Sequence, residues 1–542
     1  MQKAEVVLSM LSQKSAQNSE YVFDRLYRNL FNPDFYQLAY STIYAKEGEM
    51  TRGVGEETID GLSPRKVEEI IAQLRQEIYS PHPVKRASIP SRNGTLRPPG
   101  IPPLQDRLVQ EIVRLLLQAV YEPVFKDASH GFRPGRSSHT ALAQLKRTCK
   151  GTNWVIEGEI NGCLDAINHV RLLEILAHKI SDGRLINLIN KFLKAGYMQF
   201  RRVHNSLTGT PQGGIVSPIL ANIYLHKLDE FMEHTCNQLT AQRVILKRNP
   251  SYQELNLEGV CARKNGEIER ANDLLKHMRT MHSHDPFDPN EITVNYIRYA
   301  DDFLVMLSGS KNLAEQVRER IRDFLERELL LELNMEKTLI TNLSDQRVRF
   351  LGYDIARTRG ASQRTEKTPG VRKCAANETI QLLVPGEVIQ EKLKPFVRNG
   401  KATHHNARIN VPLLDLLTQY NAEIRDLYTY YCLATDVSKK IGKFRYYHYY
   451  SLLKTVARKE KCSIARVLSK YGVDVRLKQT TGTRKVFGVS HQTKDGPKTL
   501  IYFNESIKKK EKPVEGNIAQ GVLEIPLPGR NQTLDRLKDQ RV

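Results

Sequence analysis

The spacing of hydrophobic positions changes several times along the chain, and each change marks an element. Residues 1–80 read as helical, with Val22, Leu26 and Leu30 four residues apart, ahead of a loop bearing Gly53 and Gly55. From Val84 to Pro103 the pattern becomes β-like and proline-rich, with a turn at Asn93-Gly94 and the run Arg97-Pro98-Pro99-Gly100-Ile101-Pro102. A helix is predicted from Asp106 to about Tyr121, with Leu108, Ile112, Leu115 and Leu116 on one face. Trp154–Ile160 predicts a strand and His169–Ile180 a helix. Residues 235–290 carry few periodic apolar positions and many charges, so they read as an insertion of polar helices and loop. Residues 294–307 predict a hydrophobic hairpin, and a long helix follows with Leu313, Val317, Ile321, Phe324 and Leu325 inward. Residues 357–376, rich in Arg, Lys, Thr and Gly, read as a linker. Beyond them Leu413, Leu417, Tyr420, Ile424, Leu427 and Tyr431 form one buried stripe of a long helix.

Composition adds bounds. At 542 residues the chain exceeds what one core organises, so roughly two to four domains are expected. The apolar share of 40% supports packed cores and argues against disorder. The net charge of +22 suits a polyanionic partner, because neutralising phosphates releases condensed counterions. Cys149, Cys163, Cys236, Cys261, Cys374, Cys432 and Cys462 form no Cys-x-x-Cys pair, so no zinc ribbon is expected and a reducing compartment is. Val6–Leu11 is too short an apolar run for a signal peptide or a span. These readings predict a cytoplasmic, nucleic-acid-associated protein with no membrane attachment.

The sharpest chemical feature is Tyr299-Ala300-Asp301-Asp302 between two apolar strands, which places Asp301 at a hairpin tip. Adjacent acids there are costly unless they meet a cation. Clustered carboxylates holding two Mg²⁺ ions would activate a 3′-hydroxyl and stabilise a leaving pyrophosphate. Taken alone, the pair fits an ordinary exposed Asp-Asp turn better.

Context reverses that preference. Arg97-Pro98-x-Gly100-Ile101-Pro102, His130-Gly131-Phe132-Arg133-Pro134, Gly209-Thr210-Pro211-Gln212-Gly213-Gly214-Ile215-Val216-Ser217-Pro218, the acidic hairpin and Phe350-Leu351-Gly352-Tyr353 stand in one order. In these segments the chain resembles the group II intron-encoded reverse transcriptase/maturases, over nearly its whole length, with spacing closest to the mitochondrial-like class of bacterial introns. The resemblance implies an α+β right-hand polymerase: fingers and palm around a small antiparallel sheet, a helical thumb (domain X) and a small basic C-terminal domain. It implies boundaries of 1–80 for a helical fingers extension, 81–356 for fingers and palm, 357–376 for a linker, 377–475 for the thumb and 476–542 for a basic DNA-binding-like segment.

The resemblance also assigns site residues, and three depart from the family's pattern. Glu159, in Glu157-Gly158-Glu159-Ile160, stands where the family has an Asp holding both metals; with Asp301 and Asp302 it completes the implied Mg²⁺ set. One extra methylene keeps the charge but shifts the oxygen, and about 1 Å of misplacement can cost on the order of 100-fold in rate. Leu164 replaces an aromatic gate against ribonucleotides, with ordinary core packing as the competing reading. Ser91 replaces a lysine that meets the triphosphate, which leaves Arg92 and Arg97 as the nucleotide-facing cations. Gln212 and Gly213 belong where backbone approaches nucleotide and template, and Lys337 matches a family position near the site. A weakened polymerase is therefore expected.

Maturase work, holding intron RNA in its catalytic fold, needs basic surfaces rather than intact metal chemistry. Arg133, Arg136, Arg425, Tyr430, Lys454, Arg458 and Lys459 are the candidate RNA contacts, with a solvated helix face as the competing reading for the last three. Phe444-Arg445-Tyr446-Tyr447-His448-Tyr449-Tyr450 suits either base stacking or a buried helix. Arg484, Lys485, Lys508, Lys509 and Lys510 resemble the family's DNA-binding segment, which makes target DNA a second expected partner. Thr533–Leu537 resembles the entry to a His/Cys nuclease domain whose ligands do not follow, so neither endonuclease nor zinc is expected. The expected function is maturase assistance to a group II intron, with weakened or absent RNA-directed DNA synthesis. The rivals are a fully active reverse transcriptase serving intron mobility and a general host RNA chaperone.

Overall fold

A computed structural model describes residues 2–44, 53, 61–86, 89–90, 96–97, 100–149, 151–199, 202–204, 209, 214–240, 249–278, 292–357, 364–368, 371–375, 380–476, 483–493 and 496–514. The chain divides into two units, residues 1–136 with 151–342, and residues 137–150 with 343–542.

The first unit is organised on helix α1 (Leu104–Tyr121), within two residues of its predicted start. Leu108, Val109, Ile112, Val113, Leu116, Leu117 and Val120 are all buried, so the helix is enclosed on more than one face, and Leu115 is only half-buried. Such enclosure forces its polar residues to find partners. Asp106 accepts from the Tyr79 hydroxyl and, at 2.8 Å, from the His82 N–H, and Arg107 Nε donates to the Pro102 carbonyl at 2.8 Å. The helices Ala4–Gln17 and Pro33–Tyr44 pack on it. The stripe expected from Val22 to Leu30 is corrected: Val22 is exposed, while Phe23, Leu26 and Leu30 are buried. The cause is pairing rather than helical period, since Phe23 exchanges backbone hydrogen bonds with Lys179 and Ser181 at 2.9 Å.

Four antiparallel strands form the sheet that carries the acids: β1 (Trp154–Glu159), β2 (Val294–Tyr299), β3 (Asp302–Leu307) and β4 (Leu339–Asn342), in spatial order β4-β1-β3-β2. Helix α2 (Ser217–Thr240) packs on β2 and helix α3 (Lys311–Glu328) on β1. On α3, Val317, Ile321 and Leu325 are buried as the period predicts. The polar insertion includes two mutually packed helices, Pro250–Lys264 and Ile268–Met278, with only Ala262, Ala271 and Met278 buried on them.

The second unit contains the sheet β5 (Val348–Phe350), β6 (Tyr353–Arg357) and β7 (Ile380–Leu383), then helices α4 (Leu413–Tyr431) and α5 (Val437–Lys459) packed together. Three antiparallel strands follow in sequence order, β8 (Gly472–Arg476), β9 (Thr483–Thr493) and β10 (Gly496–Ile501). On α4 the predicted stripe holds, with Leu417, Tyr420, Ile424, Leu427 and Tyr431 buried.

Packing groups the residues differently from two of the expected boundaries. Residues 343–357 belong to the second unit, because β6 pairs with β7 (Asp354 opposite Leu383), and the expected linker includes a hairpin of Arg364–Thr368 and Val371–Ala375. The basic segment is not separate at 476. Phe487, Tyr502, Phe503 and Ile507 are buried, Asn421 bonds both the Ile501 carbonyl and the Phe503 N–H at 2.8 Å, and the Lys510 N–H donates to the Cys432 carbonyl at 2.8 Å. Cutting there would strip apolar cover from α4, which composition along the chain does not reveal.

Candidate active site and nucleic-acid surfaces

The acidic hairpin forms as its sequence predicts, with Ala300 and Asp301 as the turn between β2 and β3. Ala300 takes a left-handed φ of +58°, an uncommon conformation for a side chain that needs outside support. Arg298 supplies it. Its guanidinium is fully buried and all five donors are used: Nε and Nη2 on the two oxygens of Asp229 at 2.7 Å each, Nη1 on Asn222 at 3.1 Å and on the Ala300 carbonyl at 2.8 Å, and Nη2 also on Ser129 at 2.8 Å. Asp229 also accepts from the Tyr296 hydroxyl at 3.0 Å. Gly131 seats against the turn, and a Cβ there would lie 2.4 Å from the Ala300 nitrogen. The His130-Gly131 segment is tied in by the His130 N–H to the Arg298 carbonyl at 2.9 Å and by Asn222 to the Gly131 carbonyl at 2.8 Å. Sequence reasoning missed Arg298, Asp229 and Asn222. The signal was available, since Arg298 is a cation among the apolar positions of a strand and so demands a buried acid.

Strand register brings the acids together. Glu159 ends β1 directly opposite Asp302, and Asp301 precedes it on the turn. Asp302 retains solvent exposure on one side, yet burial of its carboxyl, then the charges of Asp301 and Glu159, push it up to about 7 against the pull of Lys337. Lys337 Nζ donates to Glu159 Oε1 at 2.7 Å, and this bond holds the lysine above its ordinary range. Three hard-oxygen carboxylates with mutual repulsion have the chemistry of an Mg²⁺ site. Among the described residues, however, no group of three or more His, Cys, Asp or Glu side chains closes into a ligand cluster. Glu159 is engaged by Lys337 instead.

Leu164 lies on the short helix Cys163–Ala166, half-buried against the core. Gly209, which opens the Gly-Thr-Pro-Gln-Gly-Gly segment, has φ +84° and approaches so closely that a Cβ would lie 2.6 Å from the Asp165 backbone. His169 Nε2 donates to the Gly209 carbonyl at 2.6 Å and fixes that approach. Arg92, Gln212 and Gly213 lie outside the described residues, as does the Arg97 side chain, whose backbone pairs with Ile89.

Of the expected RNA contacts, two are corrected. Arg133 is buried, with Nε and Nη2 on Glu122 and Nη1 on the carbonyls of Lys126 and Ser129, so its cation serves the loop. Tyr430 is buried, its hydroxyl donating to the Leu351 carbonyl at 2.9 Å and its own carbonyl accepting from His139 and Tyr353. Neither offers a face to RNA. Arg136 pairs with Asp127, while Arg425 and Arg458 are exposed, Arg425 within 3.8 Å of Glu505. Lys454 and Lys459 tie to the carbonyls of Ala402 and Val411, which leaves them half-buried. Arg484, Lys485, Lys508 and Lys510 are exposed, Arg484 lying over the Tyr449 ring and Lys510 over the Tyr428 ring; Lys509 pairs with Glu511 at 2.9 Å.

Two known families match the chain in turn. The reverse transcriptase (RNA-dependent DNA polymerase) family matches residues 85–251 and 269–355, and the type II intron maturase family matches residues 377–511. The gap in the first match falls in the polar insertion. Sheet, hairpin and matches together define a right-hand, RNA-directed polymerase joined to a maturase domain. The chain is 37% identical to the group II intron-encoded protein LtrA of Lactococcus lactis subsp. cremoris, over 99% of this chain and 90% of that one. It is 34% identical to an uncharacterized 91 kDa protein in the cob intron of Schizosaccharomyces pombe, over 87% and 58%, and 33% identical to protein YkfC of Escherichia coli, over 62% and 84%. The chain belongs to the group II intron-encoded reverse transcriptase/maturase family. Among the described residues no helix is long and apolar enough to cross a membrane.

Proposed function

We propose that this group II intron-encoded protein acts chiefly by holding its intron RNA in a splicing-competent fold, and that its DNA synthesis is weakened. The observation that carries the second half is the ion pair between Lys337 and Glu159, on a carboxylate already one methylene longer than the family's. When bound, divalent metal at Glu159, Asp301 and Asp302 would supply activation of the 3′-hydroxyl and stabilisation of pyrophosphate. Lys337 occupies Oε1 of Glu159 and would compete with metal for that oxygen. Asp301 and Asp302 stay fixed at the turn by Arg298, which orients the hairpin whatever the state of Glu159. Leu164, partly exposed next to the Asp165 backbone that Gly209 approaches, offers no ring to crowd a 2′-hydroxyl. Arg425 and Arg458 are the exposed cations we assign to intron RNA, and Arg484, Lys485, Lys508 and Lys510, with the half-buried Lys509, are those we assign to target DNA.

The preserved Asp301-Asp302 hairpin favours a second reading, a working reverse transcriptase that serves intron mobility. Splicing and primer extension measured on one preparation separate the two. Asp301→Ala should abolish any DNA synthesis and leave intron binding and splicing within about twofold, since the cations assigned to intron RNA belong to the second unit and Asp301 to the first. Loss of splicing along with synthesis in a folded Asp301→Ala protein would sink the proposed separation of functions.

A further inference from the structure

The outward face of α5 differs from that of α3, another long surface helix. Helix α3 is laced with ion pairs, Arg322 on Glu319, Arg318 on Glu319 and Lys311 near Glu315. Helix α5 has the sequence VSKKIGKFRYYHYYSLLKTVARK, with seven Lys and Arg and no Asp or Glu at all. Among the described residues none of those seven has an ion-pair partner. Its core side is occupied by Val437, Ile441, Phe444, His448, Leu452, Thr455 and Val456, all buried. Directly opposite, at spacings of four, three and four residues, stand Lys439, Lys443, Tyr446 and Tyr450, all exposed.

The two tyrosines are the informative part. Tyr446 is 58% exposed and Tyr450 39%, large fractions for aromatic rings on a helix whose apolar needs are met on its other side. Their rings meet at a centroid distance of 4.8 Å, and Tyr447 abuts Tyr446 edge-on at 5.2 Å. The rings are therefore pre-ordered against one another rather than free. From Lys439 to Tyr450 the stripe runs about 16 Å along the helix.

Exposed aromatics next to uncompensated cations, on a helix without one carboxylate, match an unpaired nucleic-acid strand. Bases stack on the rings and phosphates meet the lysines, with little dependence on sequence. A duplex hides its base faces and has nothing to offer the tyrosines. We propose that Tyr446 and Tyr450, with Lys439 and Lys443, form a stacking platform on α5 that captures an unpaired segment of RNA. The inference rests on the intron-RNA reading above and adds which form of RNA this face takes. It needs neither the metal site nor the buried Tyr430.

The test compares an unstructured oligouridylate with an RNA duplex of equal phosphate number, titrated against the full chain. Tyr446→Ala and Tyr450→Ala should each weaken oligouridylate binding about 5- to 100-fold, the range for loss of one stacked base, and leave duplex binding within about twofold. Tyr446→Phe and Tyr450→Phe should retain binding, because the ring and not the hydroxyl is used. Lys439→Gln and Lys443→Gln should each lower the logarithmic salt slope on the oligomer by about 0.7, while the alanine variants leave that slope unchanged. These residues are exposed, so the variants should unfold at the unaltered temperature, which is checked first. Equal losses on duplex and oligomer, or no loss on either, would overturn the platform, the latter pointing to an acidic protein segment as its occupant. Failure of the unaltered chain to bind intron RNA would instead overturn the reading beneath it.

Discussion

Lys337 Nζ donates to Glu159 Oε1 at 2.7 Å, so the carboxylate expected to hold divalent metal is already engaged by an internal cation. The lysine side chain is 60% exposed, which limits the strength of this pair to the modest range of surface ion pairs. Divalent metal bound at Oε1 would therefore compete with Lys337 for that oxygen. Lys337→Gln should tighten Mn²⁺ binding to the full chain about two- to fivefold, read by Mn²⁺ paramagnetic resonance. Unchanged affinity would mean that the ion pair does not restrain the site.

Arg298 and Asp229 form a fully buried pair that shapes the acidic turn from within the core. Removing one partner strands the other charge in the interior, which costs about 3–5 kcal/mol. Arg298→Met should lower the denaturant midpoint accordingly, followed through Trp154, the only tryptophan, which sits on β1 in the same unit. Joint replacement, Arg298→Met with Asp229→Leu, should recover part of the loss. A double variant no more stable than Arg298→Met would show that the pair's hydrogen bonds, rather than its unpaired charge, carry the effect.

Glu423 gives the second unit a defined acid sensitivity. Burial raises its carboxyl, but hydrogen bonds from His448, at 2.9 Å, and from Arg408 outweigh burial and hold it down at about 2. A depressed carboxylate stabilises the fold above its unfolded value of about 4.3 and loses that contribution as pH falls towards the folded value. His448 is depressed chiefly by burial, so it stays neutral in the fold while the unfolded chain gains its proton below about 6.5. Both effects act in one direction. Stability of α4 and α5 should fall as pH drops below about 6.5 and again from about 4.5 towards 2, the second stage on the order of 3 kcal/mol. Limited proteolysis across pH, scored on fragments from these helices, measures it. Glu423→Gln should flatten the lower stage, and an unaltered lower stage would place the sensitivity elsewhere.

The elements with a strong single period were legible in the sequence. Helices α1, α3 and α4 fall near their predicted ranges, and the acidic hairpin forms with Ala300 and Asp301 at its turn. What failed depended on long-range pairing. Val22 fits a helical stripe by spacing, yet backbone pairing of Phe23 with Lys179 and Ser181 turns Val22 outward. Tyr430 lies off the main stripe of α4 and reads as free, but the hairpin residues Leu351 and Tyr353 enclose it. The basic run near Lys508 reads as a tail because its lysines are polar, while the apolar residues that dock it, Tyr502, Phe503 and Ile507, are interspersed singly. The approach of Lys337 to Glu159, across 178 positions of sequence, has no local signature.

The central claim is that polymerase chemistry is limited at Glu159 while RNA work is not. Shortening the side chain preserves the charge, moves the oxygen back towards the strand end and withdraws it from Lys337. Primer extension on an RNA template, compared between the unaltered chain and Glu159→Asp, is the direct measurement, with intron splicing scored on the same preparations. Extension should rise on the order of 10- to 100-fold in Glu159→Asp, with splicing unchanged. An unaltered chain that already extends as fast as Glu159→Asp would contradict the account and establish the glutamate site as a functioning variant.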